Sequence, residues 1–161
     1  MSEPVIHQCG IVNVEFGEGV RLISPVNLYG CSIGDNVFIG PFVEIQSNVN
    51  IGYGTKIQSH TFVCEFVDIG NDCFIGHGVM FINDLFSSGG PAMGDVSKWK
   101  STSIGNNVSI GSNATILPIN ICNDVVVYPD AGTAWRNIYA RLNAVESIID
   151  DIGVSTTTDN H

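Results

Sequence analysis

The residues of this chain that could do acid–base or hydrogen-bonding chemistry recur 18 positions apart. Ser47, Glu65 and Asn83 form one such series, and Ser59 and His77 form a second. A carboxylate and an amide can hold a polar substrate, and an imidazole, which titrates at about pH 6.5, can act as a general base. Such a spacing brings these side chains together only if the backbone returns to the same place every 18 residues.

A six-residue repeat supplies this return. Reading in sixes from Ile33 gives nine consecutive hexads whose first residue is always aliphatic or Phe: IGDNVF, IGPFVE, IQSNVN, IGYGTK, IQSHTF, VCEFVD, IGNDCF, IGHGVM and FINDLF. Neither helical periodicity nor simple strand alternation produces a period of six. One unit cannot bury its own apolar residue, so the units must stack into a coil. Three hexads then close a triangular turn, and stacked residues lie at the inter-strand spacing of about 4.8 Å.

The repeat continues in both directions with changes of phase. Upstream come FGEGVR (16–21), LISPVN (22–27) and LYGCS (28–32), and the last is one residue short. Downstream come IGNNVS (104–109), IGSNAT (110–115), ILPIN (116–120), which is also short, and ICNDVV (121–126). The pattern predicts an all-β parallel β-helix of about six coils.

Two segments depart from the repeat. Residues 87–102, SSGGPAMGDVSKWKST, predict a loop ejected from one corner, either functional or a plain surface excursion. The apolar spacing in 138–149 predicts a short C-terminal helix, followed by a frayed polar tail. We therefore expect a repeat domain over 1–137, including the loop, and a helix with a polar tail over 138–161.

The composition excludes several classes of function. The formal net charge of −10 makes nucleic acid and anionic lipid poor partners. No apolar run reaches the roughly 18 residues that a membrane helix needs, and the N-terminus lacks the regions of a signal peptide. The five cysteines contain no C-x-x-C pair. We therefore expect mostly buried, reduced thiols in a cytoplasmic protein, and no metal knuckle.

Four strings resemble the left-handed β-helix acyltransferases of the hexapeptide-repeat type: PVNLYGCSIGDNVFIGPFVEIQ (25–46), KIQSHTFVCEFVDIG (56–70), IGHGVMFINDLF (75–86) and SIGNNVSIGSNATILP (103–118). Within that superfamily they look most like the enzymes that N-acetylate dTDP-3-amino-3,6-dideoxyhexoses. The resemblance implies a left-handed coil and a homotrimer with clefts between neighbouring subunits. It also implies acetyl-CoA along the C-terminal coils and transfer of its acetyl group to the amine of a nucleotide-linked amino sugar.

The resemblance assigns roles at the reacting centre. Asn83 matches the Asn of an F-x-N-D string that contacts the sugar in this family. Acetyl transfer needs a neutral amine near the thioester, donors for the oxyanion and an acceptor for the proton. Glu65 could hold the amine or polarise an imidazole, and His60 or His77 could be the base. Some relatives instead release the proton through the departing thiolate. The alternatives are a plain turn residue for Asn83, and an exposed corner or a trimer-interface hydrogen bond for each histidine.

Further residues would bind the two substrates. The candidates for the sugar nucleotide are Asp84, Trp99, Lys98 and Lys100. For Trp99, the alternative is that its indole anchors its own loop. The candidates for CoA are Gly105, Gly111, Ser112, Asn113, Ala114 and Arg136. The two glycines and the small neighbours would leave one surface narrow enough for a pantetheine arm.

The C-terminal end departs from the family pattern. Residues 127–147 lack the usual closing turn, and Tyr128, Pro129 and Asp130 stand where the family has small residues beside CoA. The second hypothesis is therefore a non-catalytic trimeric scaffold or sugar-nucleotide binder with a degenerate CoA site. A zinc hydrolase of the γ-carbonic anhydrase type needs three interface histidines. It is excluded because two of the four histidines here, His7 and His161, lie near the termini.

Overall fold

The computed structural model describes residues 10–129, and within them the backbone forms eighteen short strands. In chain order these are β1 Ile11–Val12, β2 Glu15–Phe16, β3 Arg21–Leu22, β4 Asn27–Tyr29, β5 Ser32–Ile33, β6 Phe38–Ile39, β7 Glu44–Ile45, β8 Asn50–Ile51, β9 Lys56–Ile57, β10 Phe62–Val63, β11 Val67–Ile69, β12 Phe74–Ile75, β13 Met80–Phe81, β14 Thr102–Ile104, β15 Ser109–Ile110, β16 Thr115–Ile116, β17 Asn120–Ile121 and β18 Val126–Val127. One 3₁₀ helix, Val96–Lys98, lies between β13 and β14.

The strands build a three-sided prism of six coils. Sheet 1 contains β1, β4, β7, β10, β13 and β16, sheet 2 contains every third strand from β2, and sheet 3 every third strand from β3. All strand pairs are parallel. The predicted parallel β-helix is confirmed, and its architecture is consistent with the left-handed coil that the family resemblance implies.

The register follows the hexads, including the short ones. Phe62 pairs with Glu44 and with Met80, each 18 residues away. Where a coil contains a five-residue hexad the step falls to 17, as in the pairs Asn27 with Glu44 and Ser103 with Asn120. The two short hexads are therefore real deletions at corners, and they leave the pairing of the sheets intact.

The core consists of inward-facing columns. From Leu28 onwards the first residue of each hexad is buried in all three sheets, whereas Phe16 and Leu22 of the first coil are not. In sheet 3 the buried column contains Ile39, Ile57, Ile75, Ile110 and Val127. The fifth residue is also buried in most hexads, where β-branched or small side chains such as Val43 and Ala114 fit the narrow prism. The outward residue that precedes each first residue is polar along most of sheet 2, as at Asn50 and Asp68. Each side of each coil thus contributes inward apolar residues, and the stacking of the coils joins them into continuous columns.

The corners bend the chain through left-handed backbone conformations. The fourth residue of most hexads has a positive φ, and Asn, Asp or Gly occupies most of these positions. Those residue types tolerate this conformation best. The bulky exceptions in the repeats are Phe42, His60 and Phe66. We call the turns 46–49, 64–66 and 117–119 corner 1–2, because they join sheet 1 to sheet 2, and the turns 40–43, 58–61, 76–79 and 111–114 corner 3–1.

One excursion leaves the prism at corner 1–2. It runs over residues 82–101, between β13 and β14, rather than over the expected 87–102. Thr102 is already buried in β14, where it pairs with Val67. The long insertion does not disturb the sheet, because β14 continues the ladder of β11.

Some sequence-based expectations fall outside the described residues. The predicted C-terminal helix at 138–149 and the polar tail belong to this group, as do Arg136 and Asp130. Among residues 10–129, no helix combines the length and the apolar character needed to cross a bilayer.

The inward columns predict that substitutions at two adjacent residues of one strand have very different effects on the free energy of unfolding. Ile57→Ala should lower the free energy of unfolding by about 2–5 kcal/mol, because Ile57 is fully buried and its loss leaves a cavity. Lys56→Ala, on the outward side of the same strand, should change it by about 0.5 kcal/mol or less. Urea unfolding followed by circular dichroism measures both. Equal losses would contradict the inward assignment.

Candidate functional site

Glu65 and Asn83 are vertical neighbours at corner 1–2. The side-chain amide of Asn83 donates a hydrogen bond from Nδ2 to the backbone oxygen of Glu65, 18 residues earlier, at 3.3 Å. Both residues are half-buried. The stacking that the repeat predicts is confirmed at this pair, and one side of the Asn83 amide is fixed by it.

The remaining polar atoms of this pair are available to a ligand. Within residues 10–129, no group donates a hydrogen bond to the Glu65 carboxylate or to Oδ1 of Asn83. The backbone oxygen of Asn83 accepts a hydrogen bond from the N–H of Lys100 at 2.9 Å, which ties the end of the excursion to its start. A carboxylate and an amide oxygen thus stand side by side, an arrangement that can accept hydrogen bonds from an amine or a hydroxyl.

Asp84 fastens the excursion. Its Oδ1 accepts a hydrogen bond from the N–H of Phe86 at 2.9 Å, and its Oδ2 accepts one from the N–H of Ala92 at 2.7 Å. These bonds, that of Ala92 first, lower the pKa of the Asp84 carboxyl. Ala92 is the only buried residue of the excursion. The sequence suggested a substrate contact for Asp84, whereas in the structure both of its carboxylate oxygens accept hydrogen bonds from backbone N–H groups of the excursion.

Trp99 packs against the corner next to Glu65. Its ring lies 6.4 Å from the ring of Phe66, tilted by 57°. Phe66 has a φ of +66°, which is uncommon for a bulky residue, so the corner presents this ring at a conformational cost. The contact anchors the excursion, as the alternative for Trp99 proposed, and it also places an aromatic wall beside the Glu65–Asn83 pair.

The two lysines of the excursion have different surroundings. Lys98 forms an ion pair with Asp95, with 3.7 Å between Nζ and Oδ2, and both side chains are exposed. Lys100 lines an open groove of about 400 Å³ together with Leu85, Ser101, Pro118, Ile119 and Asn120. Since Phe81 pairs with Ile116, Pro118 stands one coil above Asn83. The groove therefore continues the Glu65–Asn83 column upwards.

The histidines lie at a different corner. The Oγ of Ser59 and the Nδ1 of His77 are 2.9 Å apart, and the ring of His60 stacks on that of Phe42 at 4.9 Å. Both contacts are at corner 3–1, so β10 separates His60 from Glu65 and β13 separates His77 from Asn83. The imidazoles that could act as the base therefore do not lie beside the Glu65–Asn83 pair within one subunit. Each hexad spans a whole side of the prism, so residues six apart occupy different corners.

The residues expected to bind CoA are only partly exposed. A Cβ on Gly105 or Gly111 would meet Asn123 or Pro129 of the next coil, so these glycines allow coils to close on each other rather than leave a free surface. Ala114 is fully buried in the core, and its side chain cannot touch a ligand. Ser112 and Asn113 are exposed at corner 3–1, and the Oγ of Ser112 accepts a hydrogen bond from the N–H of His77 at 3.1 Å.

Three residues that the sequence did not single out extend the site. The hydroxyl of Tyr29 donates to Oε1 of Glu44 at 3.3 Å, and Nε2 of Gln46 donates to the same oxygen at 3.2 Å. They are half-buried on the outer face of sheet 1, below Glu65. The hexad pattern contains a weak signal for them, because polar residues at the positions flanking a buried first residue share one outer face.

The buried thiols are not nucleophiles. Burial raises the pKa of Cys31 and Cys64 to about 11 and also raises that of Cys73. Cys122 is exposed. Mostly buried cysteines were expected, and three of the four described ones are buried. In the described part of the chain, no three His, Cys, Asp or Glu side chains are grouped so that they could hold a metal ion.

Two segments match hexapeptide-repeat families. Residues 30–65 match "Bacterial transferase hexapeptide (six repeats)" and residues 101–132 match "Hexapeptide repeat of succinyl-transferase". No curated protein sequence matches the chain. The hexapeptide repeat recognised in the sequence is therefore confirmed in one segment before the excursion and in one that begins at its end.

Solved structures of one acetyltransferase domain share the fold. The acetyltransferase domain of PglB from Neisseria gonorrhoeae superposes with a TM-score of 0.62 at 15% identity, over 76% of this chain and 52% of that one. The same domain in complex with acetyl coenzyme A gives a TM-score of 0.60 at 17% identity, over 75% and 52%. A perosamine N-acetyltransferase variant from Caulobacter crescentus, in complex with CoA and GDP-perosamine, gives 0.42 at 9% identity, over 74% and 53%. The chain thus spans about half the length of these structures.

The Asp84 contacts predict a pH-dependent attachment of the excursion. A lowered pKa means that the carboxylate contributes its full stabilisation above its ordinary pKa of about 4, and loses it as the pH falls through the folded value. Asp84→Asn should raise the rate of proteolysis within 82–101 several-fold at pH 7, and acidification should do the same for the unchanged protein. Asp68→Asn, on sheet 2, is the control. Equal cleavage rates in Asp84→Asn, the control and the unchanged protein would refute the fastening role.

Proposed function

We propose that this chain, a hexapeptide-repeat protein with the parallel β-helix fold, transfers an acetyl group from acetyl-CoA to the amine of a nucleotide-linked amino sugar. The sugar would be of the 3-amino-3,6-dideoxyhexose type. The observation that carries the proposal is the Glu65–Asn83 pair, which offers unpartnered acceptors beneath an excursion held in place by Asp84 and Trp99. Asn83 falls in the F-I-N-D string that resembles the sugar-contacting string of the family.

The pair would hold the acceptor amine. Oδ1 of Asn83 and the carboxylate of Glu65 accept hydrogen bonds from the amine and orient its lone pair towards the thioester. The nitrogen attacks the carbonyl carbon, a C–N bond forms, and the C–S bond breaks. The proton leaves to an imidazole or to the departing thiolate. The excursion would exclude water from this step.

A homotrimer would supply the base. Within one subunit, corner 3–1 and corner 1–2 stand at opposite ends of each strand of sheet 1. We propose that corner 3–1 of one subunit faces corner 1–2 of the next, which brings His60 or His77 to the neighbour's Asn83. The Ser59–His77 contact supports a defined ring orientation for His77, since one ring nitrogen is engaged and the other is left for the substrate.

The acyl donor would lie along the upper coils. The solved PglB domain similar to this chain carries acetyl-CoA, and the exposed Ser112 and Asn113 lie at the corner that we place in the cleft. Lys100 in the groove above Asn83 would meet a phosphate, and Lys98 could do so after releasing Asp95. Both substrates are cytoplasmic metabolites, so the cytoplasm is the compartment that we propose.

A non-catalytic binder is the second candidate. It is favoured by the last described coil, where Tyr128 is 76% exposed and Pro129 fills the space beside Gly111. A pantetheine arm would meet these two rings where small residues would leave it room. In that case the site would bind a sugar nucleotide without transfer.

Calorimetric titration separates the two candidates. The enzyme hypothesis expects CoA to bind with a micromolar dissociation constant, about −8 kcal/mol. Tyr128→Ala is the informative variant, because it should strengthen CoA binding if the ring obstructs the arm. Binding of a dTDP-linked amino sugar without any CoA binding would favour the scaffold and remove the transferase hypothesis.

The role of Asn83 predicts a defect in turnover. Asn83→Ala should lower kcat by about 100-fold, because the amine loses the group that orients it. Asn50→Ala, which removes an exposed amide from sheet 2, should leave kcat unchanged. Release of free CoA thiol, followed with a chromogenic disulfide, measures both rates. An unaltered kcat in Asn83→Ala would remove this residue from the site.

A further inference from the structure

Tyr29, Glu44 and Gln46 form a hydrogen-bonding cluster below the Glu65–Asn83 pair, which we call the lower cluster. We propose that the lower cluster reads the hydroxyl group at C-4 of the acceptor sugar and so selects between the C-4 epimers. This proposal rests on the proposed function and specifies its substrate. It adds three residues of sheet 1 to the site.

The lower cluster lies on the same face and beside the same corner as the pair. Leu28 pairs with Ile45 and Ile45 pairs with Val63, so β4, β7 and β10 rise in successive coils. Gln46 follows Ile45 by one residue, and Glu65 follows Val63 by two. Glu44 and Gln46 therefore stand one coil below Glu65, and Tyr29 stands two coils below it. Each coil is a rise of about 4.8 Å, which is comparable to the width of a hexose ring.

The contacts give the cluster a defined polarity. Oε1 of Glu44 accepts hydrogen bonds from both the Tyr29 hydroxyl and the Gln46 amide, at 3.3 and 3.2 Å. Both donors are thus oriented by one carboxylate oxygen, and Oε2 of Glu44 has no partner among residues 10–129. Oε2 of Glu44 can accept a hydrogen bond from one sugar hydroxyl, and the second N–H of the Gln46 amide can donate to another.

Tyr29 links the cluster to the pair above it. Burial and the carboxylates of Glu44 and Glu65 raise the pKa of its hydroxyl, so both carboxylates act on this group and it keeps its proton at neutral pH. The Tyr29 hydroxyl therefore lies in the field of the two carboxylates and is a donor throughout the range in which an acetyltransferase works.

The charges orient the acceptor. The four described cations are Arg21 and Lys56 on sheet 3, and Lys98 and Lys100 in the excursion. The lower cluster has none of them and carries a carboxylate, so it repels phosphate and suits a hydroxyl. The diphosphate of the substrate then points towards Lys100, above Asn83, and the opposite side of the sugar ring points down towards Glu44.

The chemistry of the sugar identifies the group that is read. In a nucleotide-linked 3-amino-3,6-dideoxyhexose, C-1 carries the diphosphate, and the C-2 hydroxyl lies between C-1 and the amine at C-3. The C-4 hydroxyl lies on the far side of the amine. With the amine at Glu65 and Asn83 and the diphosphate towards Lys100, the C-4 hydroxyl is the group that faces the lower cluster. Its axial or equatorial direction decides whether it reaches Glu44.

The test compares two substrates that differ only at C-4. Transfer from acetyl-CoA to the dTDP-linked 3-amino-3,6-dideoxy sugars of gluco and galacto configuration gives a ratio of kcat/KM values for each variant. The unchanged protein should prefer one epimer by about 10-fold or more, as expected for a hydrogen bond that the other cannot make. Tyr29→Phe and Glu44→Gln should bring the ratio close to 1 by raising KM for the preferred epimer, with kcat little changed.

A matched control separates recognition from folding. Glu15→Gln alters a carboxylate that also accepts from a hydroxyl, that of Ser32 at 3.2 Å, but on sheet 2. It should leave the epimer ratio unchanged. Thermal unfolding of every variant identifies a loss of fold, and Tyr29→Phe, which removes a single oxygen, carries the test if Glu44→Gln unfolds.

Two results would overturn the inference. Absence of any epimer preference in the unchanged protein, or an unaltered preference in folded Tyr29→Phe and Glu44→Gln, would remove the lower cluster from the site. If Asn83→Ala still lowered kcat by about 100-fold, the proposed function would stand without the lower cluster. Absence of transfer to either sugar by the unchanged protein would overturn the proposed function and the inference together.

Discussion

Parallel backbone hydrogen bonding between successive coils is the constraint on which this molecule depends. Each coil pairs with the next through all three sheets. Residues can therefore be inserted or deleted at a corner, but not within a strand, where the register of the hydrogen bonds would change. Ile33, Ile51, Ile69 and Ile104 are therefore stacked on one another whatever the corners between them contain. A shift of one residue in any strand would turn its apolar residue outwards.

The deletions and the insertion in the repeat all lie at corners, because the strand pairing forbids them within strands. Two five-residue hexads shorten corners without changing a strand pair, and the excursion inserts a long segment between β13 and β14. Three hydrogen bonds help to offset the entropy lost when this segment is ordered. They join Asp84 to Phe86 and to Ala92, and Asn83 to Lys100. The same bonds hold the excursion beside Glu65, so the device that tolerates the insertion also builds the wall of the site.

Much of the architecture could be predicted from the sequence, because a strict period leaves few solutions. The first residues of the hexads gave the core, and the spacing of 18 gave the Glu65–Asn83 contact. The hand of the coil could not be derived in this way, since a repeat period is the same for both hands. The partners of Asp84 were equally hidden, because they are backbone groups of an irregular segment.

Side-chain direction explains the remaining differences. Gly105 and Gly111 looked like open surface in the sequence, yet each is opposed by the coil that follows, because glycine at this position removes a clash between stacked corners. Likewise, His60 and Glu65 are close in sequence but belong to opposite ends of β10. Two residues lie above one another when they are one coil apart, which is 17 or 18 residues outside the excursion. The sequence therefore predicts which residues share a vertical column, but not which side chains meet across a corner.

The distribution of charge connects the fold to its chemistry. Under the proposed function this acidic chain would bind an anionic substrate, and two of the four described cations lie on the excursion, where the phosphates would be. Below it, corner 1–2 and sheet 1 present Glu65 and Glu44, and neither carboxylate forms an ion pair with a lysine or arginine among residues 10–129. A ligand with an anionic end and a hydroxyl-bearing end can satisfy both regions in only one orientation. Under that proposal, the direction of the column of stacked coils would determine which end of the substrate faces the lower cluster.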